Sequence, residues 1–295
     1  MGGFNAKLML VFLSIAWGVT WPIMKLALLE IPPLSMRMAT AACGAAILFT
    51  IAILRRTDLF IPPGTKWAHI AISSVLNIVG FSLFTAFAQM SATTSRVTIL
   101  AYTMPIWACL LARPILGERL TMARGIALAL CVVGIGVLIY PLTQSGIPSG
   151  ILLAVGAGAS WAAGTVYMKW ARIEGDPIGI AAWQVVIGFL VIAACVPIFE
   201  GSAHLWPVSW LALFGVVFTG TIGSGLAYVL WFEVIRRLPA MTASLGVLSV
   251  PVIGVLASML ILGERPTLAD VIGFALIFAA SACVIIQPQP AARTP

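Results

Sequence analysis

The sequence predicts an all-α integral membrane protein, with ten transmembrane helices arranged as two inverted five-helix repeats around a central cavity. Composition is the first reason: 61% of the 295 residues are hydrophobic and only 8% are charged, whereas about 25% of a soluble domain is charged. Apolar runs of about 20 residues, the length that crosses a hydrocarbon core of about 30 Å, recur along the chain. Motifs that occur once in each half are the third reason. A lipid bilayer is therefore the expected environment.

The candidate spans lie between charge clusters and Pro/Gly-rich connections. They cover residues 8–29, 33–54, 67–89, 94–113, 121–140, 149–170, 178–199, 207–232, 240–262 and 267–286. The first span is too long for a signal-peptide core and no small-residue cleavage site follows it, so we expect it to be retained. From about residue 288 the composition predicts a short disordered tail.

Basic residues set the orientation. Twelve of the sixteen Lys and Arg residues fall in connections on one face, and four fall on the other. Because positive charge accumulates in cytoplasmic loops, both termini are predicted to lie in the cytoplasm. The expected location is a bacterial inner (plasma) membrane. The net charge of +7 comes from these short loops and forms no basic patch or arm, so no nucleic-acid partner is expected.

The two halves repeat each other. Trp17 is followed after 8 residues by Lys25 and after 16 by Pro33, the start of the second span. The same intervals recur at Trp161, Lys169 and Pro177. These matches divide the chain into an N-terminal repeat, residues 1–145, and a C-terminal repeat, residues 146–295.

A second duplicated motif closes the fourth span of each repeat. Pro105 precedes Ile-Leu-Gly-Glu-Arg-Leu-Thr at 115–121, and Pro251 precedes Ile-Leu-Gly-Glu-Arg-Pro-Thr at 261–267, with six of seven residues identical. The glycines suit a helix C-cap and the threonines an N-cap, which favours a structural role. Because each repeat has an odd number of spans, the second must enter from the opposite side. Inverted repeats of this kind place a substrate site near mid-membrane between the halves.

On these motifs the chain resembles the EamA-type branch of the drug/metabolite transporter superfamily, over nearly its whole length. The resemblance implies a ten-helix transporter with a central cavity and with helices 5 and 10 at the periphery. Members are often exporters of amino acids or related metabolites. The family pattern does not fix the substrate.

One face of helix 1 carries small, aromatic and polar residues instead of the Leu, Ile and Val typical of a lipid-facing surface. Trp17, Trp21 and Lys25 lie on it at helical spacing with Ser14 and Gly18. Either cavity lining or helix packing through Gly18 explains such a face.

Other spans offer similar residues. Asn77, Phe81 and Phe84 share a face of helix 3, and an unpaired amide at mid-membrane is costly, so Asn77 should face protein or water. The predicted substrate-binding residues are Trp17, Trp21, Asn77, Phe81, Tyr102, Trp161, Thr165, Gln184, Ser224 and Tyr228. The alternative for each is ordinary interhelical bonding. Lys25 and Lys169 either reach to the headgroups or attract a solute carboxylate at a cavity mouth. The same two alternatives apply to Arg37 and Arg96, which are predicted to lie on the outer side.

No Asp or Glu lies in the central part of any predicted span. This disfavours a proton-coupled multidrug antiporter that binds cations on a buried carboxylate. No nucleophile, base and ligand set converges, so no enzyme activity is predicted. The five cysteines fall in separate apolar runs without metal-ligand spacing, and no metal or cofactor is expected.

The leading hypothesis is a transporter of small metabolites, with export of amino acids or related compounds by alternating access. Multidrug or cation efflux is the alternative within transport, and a membrane enzyme or non-transporting membrane protein is the alternative outside it. The sequence leaves the oligomeric state open, and a monomer is compatible with it. Pro22, Pro105 and Pro251 fall inside predicted spans and permit kinks.

Overall fold

The computed structural model describes residues 6–61, 65–91, 97, 100–143, 149–173, 175–263 and 267–285, and within these ranges the regular structure is helical throughout. The α-helices are α1 (Ala6–Leu28), α2 (Pro33–Leu54), α3 (Thr65–Ser74), α4 (Phe81–Ser91), α5 (Met104–Leu116), α6 (Met122–Thr143), α7 (Ser149–Ala171), α8 (Pro177–Phe199), α9 (Trp210–Phe218), α10 (Ala227–Arg237), α11 (Ala240–Gly246), α12 (Ser249–Leu262) and α13 (Leu268–Ile285). Two π-helical segments, Val75–Gly80 and Thr219–Leu226, join α3 to α4 and α9 to α10.

Seven helical stretches in the described residues are long and apolar enough to cross a membrane. They are Leu8–Leu28, Pro33–Leu54, Lys66–Ala88, Met122–Pro141, Pro177–Phe199, Trp210–Arg237 and Thr242–Leu262. The all-α class is thereby confirmed, while ten spans and the exact repeat boundary stay predictions. Helix α5 is a shorter apolar helix, and residues 92–96, the boundary at 144–148 and the predicted tail lie outside the described residues.

The predicted proline kinks take a different form at two of three positions. Pro22 lies inside α1, but Pro105 is the second residue of α5 and Pro251 the third of α12. Each follows a break in helical structure, at residues 102–103 and 247–248. Proline fits the first turn of a helix because the amide there needs no intrahelical acceptor. The feature that occurs in both halves is therefore a break between two helices, and not a bend within one continuous helix.

The helix ends also match between halves. Gly117 and Gly263 cap α5 and α12 in the left-handed region, with φ of 67° at both, a conformation that glycine adopts without steric cost. The Thr121 hydroxyl accepts from the Arg124 amide at 3.3 Å and caps α6. The structural role predicted for these motif residues is confirmed at these positions.

Helices of the two halves pack across each other. Helix α2 packs on α8, and α1 packs on α12 and on α9–α10, so the central layer is built jointly. Helices α6 and α13 pack mainly on one another, with Gly134 so close to the Gly273 carbonyl that an added Cβ would lie 2.9 Å from it. Small residues allow such backbone approach in membranes. This outer pair contributes nothing to the cavity described next.

Candidate functional site

A central cavity of about 800 Å³, counting the space open to the bulk, lies between the halves. It is lined by Trp17, Thr20, Trp21, Met24, Arg37, Thr40, Ala41, Ile78, Phe81, Ser82, Tyr102, Met104, Trp161, Val185, Ile192, Thr219, Gly223, Ser224 and Tyr228. The lining part of α1 is its second half, and that of α2 is its first half. The cavity therefore occupies the end of the bundle that carries the α1–α2 connection, which we call the upper end.

Seven of the predicted substrate-binding residues line this cavity: Trp17, Trp21, Phe81, Tyr102, Trp161, Ser224 and Tyr228. Tyr102 accepts a hydrogen bond from the Trp21 indole, N to O 3.2 Å. Arg37, for which the sequence leaves open headgroup contact or a cavity mouth, lines the cavity together with Thr40, to which the sequence analysis gives no role. Their spacing of three residues on α2 puts both on one helical face.

Asn77, Thr165 and Gln184 are not among the residues that line the cavity. Asn77 is buried in the first π segment against α7, where a Cβ on Gly164 would lie 1.6 Å from the Asn77 Oδ1. Gln184 Nε2 donates to Ser73 Oγ at 2.8 Å, and Thr165 donates to the Trp161 carbonyl at 3.0 Å. Of the three, only Gln184 makes the interhelical bond that the sequence left open as an alternative. Thr165 bonds its own helix, and neither polar atom of the buried Asn77 amide has a hydrogen-bond partner in the described residues.

The two lysines also lie away from the cavity lining. Lys25 is in the last turn of α1. Lys169 Nζ donates to the carbonyls of Ile235 at 3.0 Å and Leu238 at 2.5 Å. A cation at a helix C-terminus is favoured by the helix dipole and satisfies carbonyls that lack intrahelical partners. Lys169 thus ends α10, at the lower end of the bundle.

Four aromatic rings form the floor of the cavity. Trp17 is surrounded by Trp161, Trp231 and Tyr228, with ring centroids 5.5, 5.7 and 6.3 Å away. Its indole Nε1 donates to the Gly223 carbonyl in the second π segment at 3.0 Å. The floor therefore joins α1 to the other half by rings and by one hydrogen bond.

A second pocket lies below the floor. Its empty volume is about 640 Å³, and its walls include Lys169, Arg172, Arg236 and Phe232. Phe232 is stacked on Tyr228, with centroids 6.0 Å apart. Because Tyr228 lines the upper cavity and Phe232 the lower pocket, this stacked pair and the floor separate the two spaces.

Carboxylates tie helix ends together at both ends of the bundle. At the upper end, Glu200 accepts from the amides of Leu34 at 2.6 Å and Ser35 at 2.8 Å, capping α2. At the lower end, Glu118 of the Leu-Gly-Glu-Arg motif accepts from the Ala240 amide at 2.7 Å, capping α11. An anion is favourable at a helix N-terminus, so the motif glutamate has a structural use.

Glu30 makes a third link at the upper end. It accepts from the Ser209 amide at 2.7 Å and the Ser209 hydroxyl at 2.6 Å, connecting the α1–α2 turn to the start of α9. These bonds hold the pKa of the Glu30 carboxyl below its usual value.

Glu233, near the end of α10, forms ion pairs with two arginines of the same helix. Glu233 is buried, and its carboxylate accepts from Arg236 at 3.1 Å and from Arg237 at 2.5 Å. No group of three or more His, Cys, Asp or Glu side chains close enough to hold a metal ion occurs in the part of the chain that the structure describes.

Known proteins resemble this chain in sequence and in fold. The Bacillus subtilis protein "Uncharacterized transporter YoaV" is 28% identical over 279 residues, which cover 92% of this chain and 94% of that protein. The Salmonella typhimurium protein "Probable amino-acid metabolite efflux pump" is 23% identical over 290 residues, covering 94% and 92%. A solved crystal structure superimposes with a TM-score of 0.78 at 22% identity over 94% of this chain and 95% of that one, which establishes a shared fold.

The family comparison agrees with the duplicated motifs. The EamA-like transporter family matches the chain twice, over residues 5–140 and over residues 148–286. The two matches fall one in each half and together span nearly all of the sequence. The chain belongs to the EamA-like transporter family.

Proposed function

We propose that this transporter exports amino acids or related small metabolites by alternating access. Members of the family are transporters and not enzymes, so the open question is what moves and how. The observation that carries the proposal is the central cavity, built from both halves and closed on one side by a layer of aromatic rings. Its volume suits a small metabolite. The name of the Salmonella typhimurium relative supports an amino-acid solute.

The proposal includes two inverted repeats with both termini in the cytoplasm of a bacterial inner membrane. The upper end then faces outward, and the cavity is open to the outside. The stacked pair Tyr228 and Phe232 would be the inner barrier, and rocking of one half on the other would open the lower pocket in turn. Reporter fusions should place Arg56 and Arg172 in the cytoplasm and His204 outside. The opposite assignment for any of these sites would overturn the orientation.

Flux through purified protein in liposomes tests the transport proposal. Labelled neutral L-amino acids are compared with quaternary ammonium cations, in protein-containing and empty vesicles, with the voltage clamped. We expect saturable, protein-dependent amino-acid uptake that preloaded unlabelled solute accelerates, since exchange through one cavity predicts counterflow. Cation flux without amino-acid flux would instead establish cation efflux. No flux of either class would contradict transport of these solutes.

A further inference from the structure

We infer that the central cavity binds its solute through a carboxylate on Arg37, so that the transported class is small monocarboxylates, zwitterionic amino acids included, and not organic cations. The inference rests on the proposal that this cavity is the transport site. It names the group that recognises the solute and the chemistry of that group, neither of which follows from family membership.

The charge of the cavity points to an anion. Among the described residues that line it, Arg37 alone is charged, and no Asp or Glu lines it. A guanidinium without a carboxylate partner in a low-dielectric site is costly, and removing the counter-charge of a buried pair is strongly destabilising. Water in the cavity and an incoming anion are the two ways to offset that cost. A cationic solute would meet like charge.

The hydrogen bonds of Arg37 leave its donors available. The guanidinium has five N–H donors, and its one hydrogen bond to the described residues runs from Nη2 to Thr85 Oγ1, at 3.3 Å. The Thr85 hydroxyl donates to the Phe81 carbonyl at 2.7 Å, which turns its lone pairs to the arginine. Thr85 therefore orients the Arg37 guanidinium and leaves its other N–H donors for a solute carboxylate. A carboxylate can accept two parallel hydrogen bonds from a guanidinium.

Neutral groups of the other half face the same space. Tyr228 lines the cavity, as Arg37 does. Thr219, at the start of the second π segment, also lines it, and its buried hydroxyl has no hydrogen-bond partner in the described residues. A buried polar atom without a partner is rare and needs an explanation. A solute oxygen close to Tyr228 and Thr219 would give the Thr219 hydroxyl a hydrogen-bond partner. A solute that is also bound by Arg37 would then connect the two halves.

The aromatic residues of the cavity determine which kind of apolar group the solute can carry. Trp17, Trp161 and Phe81 are aromatic walls, and two of these rings, Trp17 and Trp161, have centroids 5.5 Å apart. They suit an apolar or aromatic body. A single arginine balances one negative charge, so a phosphate dianion is less well matched than a carboxylate.

Three probes with one phenyl body separate the options: L-phenylalanine, 3-phenylpropionate and phenethylamine. Binding to detergent-purified protein is measured by equilibrium dialysis, and flux is measured in liposomes. We expect the amino acid and the acid to bind and the amine not to. Arg37→Gln should weaken binding of both carboxylates about 10- to 100-fold, the range for charge-assisted hydrogen bonds. Arg37→Lys should recover part of that loss.

Arg113→Gln is the control, because it removes an exposed arginine outside the cavity. Equal binding of 3-phenylpropionate to wild type and Arg37→Gln would overturn the inference, as would tighter binding of the amine than of the acid. The wild-type comparison of acid with amine decides the matter even if Arg37→Gln does not fold. If the wild type moves amino acids but Arg37→Gln binds them equally well, the inference alone fails; absence of all wild-type flux would instead remove the proposed function.

Discussion

Trp17 has two roles, lining the cavity and holding the two halves together, and two substitutions can separate them. The ring lines the cavity, yet it also packs on three rings and donates a hydrogen bond to the Gly223 carbonyl. Trp17→Phe keeps an aromatic ring and loses the donor. Trp17→Ala loses both. The pair of variants therefore distinguishes a ring that only borders water from one that holds the halves together.

The expected magnitudes follow from these contacts. Loss of the hydrogen bond in Trp17→Phe should lower the free energy of unfolding by about 1 kcal/mol, with a further part for the smaller ring. Trp17 is partly buried, so Trp17→Ala should cost at most about 3–5 kcal/mol, the range for a fully buried aromatic side chain. Aromatic pairs of this geometry contribute about 0.5–1.5 kcal/mol each, so ring contacts alone account for a large part.

Thermal unfolding in detergent, followed as the fraction that remains monodisperse on gel filtration, measures the difference. Trp210→Ala is the matched control, since this tryptophan lies at the start of α9 and is 85% exposed. We expect the order wild type, Trp210→Ala, Trp17→Phe, Trp17→Ala from most to least stable. A midpoint for Trp17→Ala equal to that of Trp210→Ala would refute the reasoning and leave Trp17 as a plain cavity wall.

Three further changes probe other contacts. Gly164→Ala should lower the free energy of unfolding by about 1–3 kcal/mol through overpacking, because its Cβ would lie 1.6 Å from the Asn77 oxygen. A double variant with Asn77→Ala should recover part of the lost thermal stability. Absence of any recovery would contradict overpacking against Asn77. Phe232→Ala should let preloaded amino acid leak from liposomes through the weakened barrier, and wild-type retention would exclude the ring as a barrier. The Glu30 carboxylate has a lowered pKa in the folded protein, so its contribution is present above the unfolded pKa and is lost as pH falls through the folded value. The unfolding midpoint of the wild type should therefore fall more between about pH 7 and about pH 3 than that of Glu30→Gln, and parallel curves would show that the bond to Ser209 adds nothing.

Local chemistry explains which features could be predicted from the sequence. The left-handed cap at Gly117 depends on one residue and its neighbours, so the motif predicts it directly. Trp17 and Trp161 were found because aromatic residues at matched places in both halves stand out from a lipid-facing pattern. Such signals need no knowledge of the neighbouring helices.

Asn77 shows where periodicity misleads. A uniform period of 3.6 residues puts Asn77 on one face with Phe81 and Phe84. The π segment Val75–Gly80 changes the turn between them, so Phe81 lines the cavity, Asn77 meets α7, and Phe84 is 37% exposed. No residue type predicts a π segment, and its presence depends on tertiary packing.

Arg37 shows the limit of charge rules. A basic residue one turn inside a helix end normally extends to the headgroups, so the sequence alone does not decide between that position and a cavity mouth. The hydroxyl of Thr85, on a helix that lies well apart in the sequence, instead orients the guanidinium within the cavity. Only the packing of α2 against α4 reveals this.

If the stacked pair Tyr228 and Phe232 is the inner barrier, the second π segment, Thr219–Leu226, would allow that pair to move while α9 stays in place. In a π turn each carbonyl bonds an amide five residues on, one more than in an α-helix. Returning those carbonyls to α-helical pairing would advance the chain beyond Leu226 by one residue, turning α10 by about 100° and shifting it by about 1.5 Å along its axis. Tyr228 and Phe232 would rotate together with α10, while α9 would stay bonded to Glu30 through Ser209. A twist confined to half of one helix would thus displace the stacked pair, while Trp17 and Trp161 of the floor would have to move with the rocking of the two halves.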